Sequence, residues 1–455
     1  VGIVAKIYNS LFNNKQVTTY DQIPNRDYLK AIKYPVFKKK IMECSIEEDE
    51  ENSYYTGILN TIAENCVGST PLVLGKHPED EVNDSIEDKW HEWCVNNSIG
   101  SAIRQIRRGA ARTGLGIGIP YAPKNSPDPV ILGIKTLCAI DLKQPWGADP
   151  ADRIIDGVKY DENWDIETIY VDNGTMEPTP FHAKDIIIWH KSIKEGVRTW
   201  APECGAAFTL FPSVKRFMKA IVRGEEMKSS IPMAIKLDPM VYKPDAADGI
   251  PQGQWEYEPG MVPTLPPGTD LTGLQFGSHG TERNQFIQLV IGAAARCVQM
   301  PKNIALGDSS GHNMATAAID IIPWKNRVSI DRTDFEPATR KIFKMWLERA
   351  VRVSDYLTVR ARGQSNRFTF DLNYDLLFQH PDPMKNANSR AIDLISGSTT
   401  LSRVYMDQGL NARRELQREA KLRGVSVEEL HEVLLVSRSP QVLSLLQGLP
   451  DEAEQ

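Results

Sequence analysis

Apolar residues at helical spacing alternate with short runs of β-branched and aromatic residues over the first half of the chain. Between Tyr54 and Asn65 the apolar positions Ile58, Leu59, Ile62 and Ala63 recur as on one helix face, and Val67 to Leu74 then reads as a strand. Ile103 to Arg112 predicts a short basic helix ended by Gly114. Val130 to Ile140, Trp164 to Val171 and Ile186 to His190 are rich in Val, Ile and aromatics and are bounded by Gly, Pro, Asn and Asp, the pattern of strands. The acidic run Ile46 to Glu51 reads as a solvated face or loop. The first 205 residues or so are therefore expected to form an α+β domain.

The pattern then lengthens. Ala206 to Ser230 predicts one amphipathic helix, with Leu210, Val214, Phe217, Ile221 and Val222 on one stripe and Lys215, Arg216, Lys219 and Arg223 off it. At the rise of an α-helix it spans on the order of 35 Å. Residues 231–278 hold eight prolines and six glycines among short β-type runs such as Trp255 to Tyr257, which excludes a continuing helix. This insert is acidic: Asp238, Asp245, Asp248, Glu256, Glu258 and Asp270 face only Lys236 and Lys243. A second long helix is predicted from Thr281 to Gln299, with the small residues Gly292, Ala293, Ala294 and Ala295 leaving room for a close neighbour. Pro301 stops it. Lys302 to His312 reads as a Gly/Ser/Asp loop, and Asn313 to Val353 as a helix bent at Pro323. From residue 387 the chain reads as a small helical module, with Thr400, Asn411 and Ser426 as N-caps, Glu429 completing a capping box, and Gly409 and Gly424 ending helices.

Composition narrows the function classes. A chain of 455 residues, 41% hydrophobic and 25% charged, is ordinary globular protein and suggests two to four domains. No apolar run reaches the roughly 18 residues of a membrane span, and the run at the start is short for a secretion signal, so a soluble, cytoplasmically made protein is expected. The six cysteines (Cys44, Cys66, Cys94, Cys138, Cys204, Cys297) show no metal-ligand or disulfide-framework spacing and read as reduced, mostly buried thiols. With 53 Lys and Arg against 59 Asp and Glu, the surface as a whole is no phosphate-neutralising sheath, and a DNA contact is expected to be local or weak.

Catalytic patterns fail on context. Gly307-Asp308-Ser309-Ser310-Gly311 spells a serine nucleophile elbow with His312 beside it, but a helix and Pro301 precede it where the elbow needs a strand. Gly68 to Lys76 departs from a phosphate loop, since six residues separate Gly68 from Gly75 and His77 stands where a Ser or Thr belongs. Gly114, Gly116 and Gly118 lack dinucleotide spacing and read as a turn or strand entry. His182 and His190 lack a partner at metal spacing. Arg104, Arg107, Arg108 and Arg112 read as a solvated or subunit-facing helix rather than a DNA grip, with no aromatics interleaved for base stacking. No catalytic, cofactor or metal site is predicted, and the chain is expected not to be an enzyme.

The order of elements, a mixed domain, a long helix, a β-rich insert, a second long helix, a loop, a kinked helix and a helical end, resembles the lambda-type portal proteins of tailed bacteriophages. Segments agree in order. Ile155-Asp156-Gly157-Val158-Lys159-Tyr160-Asp161 resembles the family's strand turn, and Ile186 to His190 its approach to the long helix. Tyr257-Glu258-Pro259-Gly260 with Leu265-Pro266-Pro267-Gly268 resembles the insert, and Asp382-Pro383-Met384-Lys385 followed by Ile395-Ser396-Gly397 and Thr399 resembles the passage opening the C-terminal module. The chain departs from the family in reading Met314-Ala315-Thr316-Ala317-Ala318, without the arginine usual after the loop, and Thr269-Asp270 after the glycine of the insert.

The resemblance implies an α+β portal fold: a wing at 1–205 and again at 316–386, a two-helix stem at 206–230 and 279–300, a β-rich clip at 231–278, a tunnel loop at 301–315 and a helical crown at 387–455. It implies a homo-oligomeric ring of about twelve copies at the capsid portal vertex of the virion, assembled in the host cytoplasm. Viral double-stranded DNA would pass through it during packaging and ejection, and terminase, then adaptor or head-completion and tail proteins, would dock on it, with the major capsid protein around it and no membrane. Lys302, Asn303, Asp308, Ser309, Ser310, His312 and Asn313 would line the tunnel loop. Lys215, Lys219, Arg223, Arg283 and Arg296 would lie on the stem, and Trp255, Glu256, Tyr257 and Glu258 would meet clip partners. The alternatives are another head-tail connector or minor capsid protein and, from a different class, a serine hydrolase using Ser309.

Overall fold

The computed structural model describes residues 35–126, 128–149, 152–191, 200–208, 210–230, 233–237, 269–273, 280–308, 314–374, 383–408 and 410–430. The chain divides into two compact units, one of residues 1–208 with 292–455 and one of residues 209–291. The chain combines helices and sheets, as the sequence predicts.

In the first unit, helices α1 (Pro35–Glu51) and α2 (Ser53–Val67) are joined at Asn52, whose side chain caps α2 by accepting from the Tyr54 and Tyr55 amides. Strand β1 (Leu72–Gly75) leads into α3 (Asp80–Asn96) and α4 (Ile99–Thr113). α4 buries Ile99, Ile103, Ile106 and Ala110 and ends at Gly114, as expected. Gly114 is left-handed at φ 90°, and a Cβ there would lie 2.4 Å from the Ala201 nitrogen, so only glycine fits.

Strand β2 (Leu115–Tyr121) forms the centre of an antiparallel sheet with β3 (Gly133–Leu137) on one side and, on the other, the later strand Ile187–His190, pairing Ile117 with Leu137 and Leu115 with His190. Of the glycine repeat, Gly114 closes α4 and Gly116 and Gly118 lie in β2, the strand entry that the sequence offered. A Cβ on Gly116 would come within 2.3 Å of the Ile106 carbonyl oxygen, and one on Gly118 within 2.7 Å of Ile106 Cδ1. The repeat therefore lets α4 lie directly on the sheet.

Strands β4 (Ile154–Ile155), β5 (Val158–Tyr160), β6 (Ile166–Val171) and β7 (Thr179–His182) form a meander, followed by β8 (Ile187–His190) in the central sheet. Asp156 and Gly157, both at positive φ (53° and 76°), make the tight turn between Ile155 and Val158, the geometry that suits the twist of a two-residue hairpin. Leu115, Ile117, Val158, Tyr160 and Ile169 pack with Trp200 in the core of this region.

The second unit contains α5 (Phe211–Ser230), β9 (Met233–Leu237), β10 (Thr269–Gly273) and most of α6 (Gly280–Arg296). β9 and β10 pair antiparallel, Leu237 against Thr269 and Met233 against Gly273, so the described part of the predicted β-rich insert is a two-stranded ribbon.

Back in the first unit, α7 (Lys302–Leu306) corrects the reading of Lys302 to His312 as loop: its first five residues form a helical turn begun at Pro301 and closed by left-handed Gly307. The remainder, from Ser309, lies outside the described residues. α8 (Met314–Ala350) runs through Pro323 and Pro337; its Phe343 and Trp346 meet Trp90 of α3 edge-on at ring separations of 5.1 and 5.3 Å, and Trp346 lies 6.2 Å from Trp93. These rings belong to one hydrophobic core with Ile103, Ile106 and Phe335. After α9 (Val359–Gln364), β11 (Phe370–Asn373) pairs antiparallel with β1, Leu72 against Asn373.

Helices α10 (Pro383–Ile395), α11 (Leu401–Asp407) and α12 (Ala412–Arg423) follow the predicted punctuation. Thr400 Oγ1 accepts from the Arg403 amide, Asn411 caps α12, and Ser426 and Glu429 exchange the two bonds of a capping box. Gly409 lies outside the described residues. Asn411 also donates to Glu87 of α3 at 2.6 Å, and Arg413 and Arg414 pair with Asp80 and Asp88, which ties α12 to α3.

Candidate functional site

The two long helices are the first candidate. On α5 the stripe begins with buried Phe211 and Val214 and continues to Phe217, whose ring lies 4.6 Å from that of Phe286 on α6. The two helices meet at this ring pair. Lys215, Lys219 and Arg223 recur every fourth residue and so form a ridge along one side of α5. Lys215 is half-buried, while Lys219 and Arg223 are exposed, as is Arg296 at the carboxyl end of α6, where a cation faces the negative end of the helix dipole. The Arg283 side chain is outside the described residues. Met218 and Val222 on α5 and Leu289 on α6 are apolar and exposed, Leu289 at 70%.

Of the predicted tunnel residues, Lys302 and Asp308 are exposed. Asn303 is only 6% exposed, and among the described residues its side-chain oxygen has no hydrogen-bond partner, so it lies inside α7's packing rather than on an open surface. The Lys302 stem passes Gly292 of α6, where an added Cβ would sit 3.6 Å from Lys302 Cγ. Within the small-residue run, Ala294 and Ala295 are fully buried and Ala293 is exposed. Ser309, Ser310, His312 and Asn313 lie outside the described residues, as do Trp255, Glu256, Tyr257 and Glu258.

The arginines of α4 are tied into the chain's own structure, Arg107 buried and Arg104, Arg108 and Arg112 half-buried. Arg104 donates to the Gly68 and Ser69 carbonyls, Arg108 forms a forked pair with Asp49 at 2.6 and 2.9 Å, and Arg112 reaches Asp49 at 3.1 Å. The acidic run that supplies Asp49 is accordingly the end of α1, with Glu48 buried, not a loop. The Arg108 and Arg112 charges, working against burial, hold the Asp49 carboxyl below its ordinary pKa.

Arg107 is fully buried. Its guanidinium donates two bonds to Asp331 of α8, at 2.8 and 2.6 Å, and lies 2.7 Å from Glu203 without hydrogen-bond alignment. Lys191 (2.8 Å) and Arg327 (3.1 Å) also reach Asp331, and Arg327 reaches Glu203 at 3.3 Å. Burial opposes ionisation of Asp331, but the three neighbouring cations outweigh it and hold the carboxyl far below the usual carboxylate range. The sequence signal for this network was a charge at the edge of an otherwise apolar stripe, four residues after Ile103. Nothing local identified its partners.

Other candidates dissolve into structure. His182 shares a hydrogen bond with Thr168 at 3.1 Å, and burial lowers the pKa of His190. Among the described residues no group of three or more His, Cys, Asp or Glu is placed to hold a metal ion. All six cysteines are free thiols, with Cys44, Cys66, Cys94 and Cys204 buried, Cys138 half-buried and Cys297 exposed. No described helix is long and apolar enough to cross a membrane.

Among the described residues helices and sheets are mixed, α5 and α6 meet at Phe217 and Phe286, and the cations of α4 are engaged in internal ties. Residues 40–323 match the profile of the phage portal protein, lambda family, well over half of the chain. The chain belongs to the lambda family of phage portal proteins, a structural family. A search of curated proteins finds no match. Among solved structures, it is similar to a chain of the virion of the native gene transfer agent particle, with 13% identity over 82% of this chain and 93% of that one and a TM-score of 0.44. It is also similar to a chain from the neck of the native particle computed with C12 symmetry, with 14% identity, 80% and 93% coverage and a TM-score of 0.44. A third, from the neck of the empty particle computed with C6 symmetry, has 12% identity, the same coverages and a TM-score of 0.45.

Proposed function

We propose that copies of this chain close into a ring at the portal vertex of a capsid and conduct double-stranded DNA through its centre. The reading rests on the family match over residues 40–323, which spans both long helices and the insert between them. The paired helices form the stem (206–230 and 279–300), and the segment between them, 231–278, is the clip that docks terminase during packaging and head-completion or tail proteins afterwards. Residues 1–205 and 316–386 form the wing, 301–315 the tunnel loop and 387–455 the crown. The virion is the site of action, after assembly of the ring in the host cytoplasm, with the major capsid protein around it.

Two physical features support this role. Met218, Val222 and Leu289 leave apolar surface exposed on the helix pair, and a second copy placed by a rotation that closes on itself covers such surface once per subunit. The excess of 59 acidic over 53 basic residues leaves few cations to grip phosphate, so a duplex slides with little free energy lost at each step. Lys219 and Arg223 supply brief contacts. The hydrolase reading of Ser309 gains nothing, because the segment leading to it is helix α7 where an elbow needs a strand.

Negative-stain electron microscopy of the purified full chain tests the proposal. Closed rings with a central hole are expected. Monomers or dimers under every assembly condition overturn it.

A further inference from the structure

The sheet ladder between β2 and β8 stops at the pair Gly118 and Ile187. Beyond it Pro120 has no amide proton to donate, and the opposing chain turns away as the short 3-10 segment Ala183–Asp185. The ladder's end opens a cleft of about 490 Å³ between this corner and the carboxyl-terminal half of α8. Its floor is apolar, with Ile119, Pro120, Phe181, Ile186 and Met345.

Four cations rim it, Lys184, Lys341, Lys344 and Arg349, against two acids, Asp185 and Glu348. Lys341 donates to the Ala183 carbonyl and Arg349 to that of Ile131, and among the described residues none of the four forms a salt bridge with a carboxylate. Burial lowers the pKa of Lys341 against the opposing pull of Asp185, and burial together with Arg352 lowers that of Arg349 against the opposing pull of Glu348. The cleft beside Trp200 differs: there Lys143 is already paired with Asp172, at 3.2 Å.

We propose that this cleft is a docking site for an acidic peptide segment of a partner protein, one in which carboxylates alternate with apolar side chains. Carboxylates meet the rim cations while the apolar residues cover the floor. The apolar floor decides against duplex DNA, whose outer face is sugar and phosphate and gains nothing from Phe181 or Met345. The cleft volume also suits a few side chains of an extended segment. All its residues belong to the first unit, so the site stands independently of the conduit reading.

The test is fluorescence anisotropy on the purified full chain with a labelled synthetic peptide in which Glu alternates with Leu. The same peptide with Lys for Glu, inorganic phosphate and a short DNA duplex serve as comparisons. The acidic peptide is expected to bind, the Lys peptide not, and the double variant K344E/R349E to bind the acidic peptide roughly tenfold or more weakly. Both substituted positions lie at the cleft rim, and an unchanged melting curve establishes that the variant is folded. Lys341→Gln supplies a milder, charge-removing check in the same direction. Absence of binding, equal binding by wild type and K344E/R349E, or tighter binding of the duplex than of the peptide overturns the proposal.

Discussion

Asp331→Asn is expected to lower the stability of the first unit by about 3 kcal/mol. Asp331 is the point at which Arg107, Lys191 and Arg327 converge, so its neutralisation leaves three cations facing the single carboxylate of Glu203. Lys191 and Arg327 are 23% and 13% exposed and can turn toward water, but Arg107 is 0% exposed and cannot. Removing one partner of a buried pair costs roughly 3–5 kcal/mol, and the retained amide oxygen, which still accepts one bond, places the expectation near the lower figure.

The pH dependence follows from the depressed pKa of Asp331. The stabilisation is fully present above the unfolded carboxylate value of about 3.9 and is lost as pH falls through the lower folded value. The gap between wild type and Asp331→Asn should therefore be constant from neutral pH to about 5 and close only in strong acid. Urea unfolding followed by tryptophan fluorescence measures it, since Trp189 lies 4.9 Å from the Arg107 guanidinium. The double replacement Arg107→Met with Asp331→Leu leaves Glu203 paired with Arg327 at 3.3 Å and should restore much of the loss. A cost below about 1 kcal/mol for Asp331→Asn, or a double variant less stable than the sum of the two single ones, refutes the reasoning.

Two further outcomes are expected. Lys38, 2% exposed, stacked 3.3 Å over Trp200 and 3.1 Å from Asp156, has its pKa lowered to about 8 by burial, which outweighs the attraction of Asp156. Between pH 8 and its unfolded value near 10.4 the unfolded chain holds a proton that the folded one has released, so this site stabilises the fold increasingly as pH rises. Lys38→Met should abolish that component, and parallel stability curves for wild type and variant across this range, read by urea titration, count against it. Gly116→Ala drives a Cβ to 2.3 Å from the Ile106 carbonyl and should cost about 1–3 kcal/mol by forcing α4 off the sheet. An unchanged melting midpoint shows that the helix and strand are free to separate there.

The glycine repeat and the α4 arginines mark where reading along the chain reaches its limit. Gly114 was legible as a helix end because a left-handed cap is a local matter, settled within one turn. Gly116 and Gly118 were legible as a strand entry but not as a contact surface, because their reason is the close approach of Ile106 from another element. The arginines carried the right charge but no address: Asp331 lies 224 residues from Arg107. α1 was missed for a related reason, since its acidic end looks solvated until Arg108 and Arg112 are brought against Asp49.

The sequence by itself determined what depends on neighbours within a few residues. The amphipathic stripes of α5 and α6, the caps at Thr400, Asn411 and Ser426, the αL closure at Gly424 and the break into a Pro- and Gly-rich insert all follow from the helical period and from short hydrogen bonds. The family's order of elements is written at the same level. Tertiary structure alone decided the pairing of β1 with β11, the burial of Arg107, the helical turn hidden in a Gly/Ser-rich stretch and the gathering of four cations at the α8 cleft. A local pattern specifies how each segment is shaped, but which charge is neutralised, and which is left open, depends on what the rest of the chain brings within a few ångströms of it.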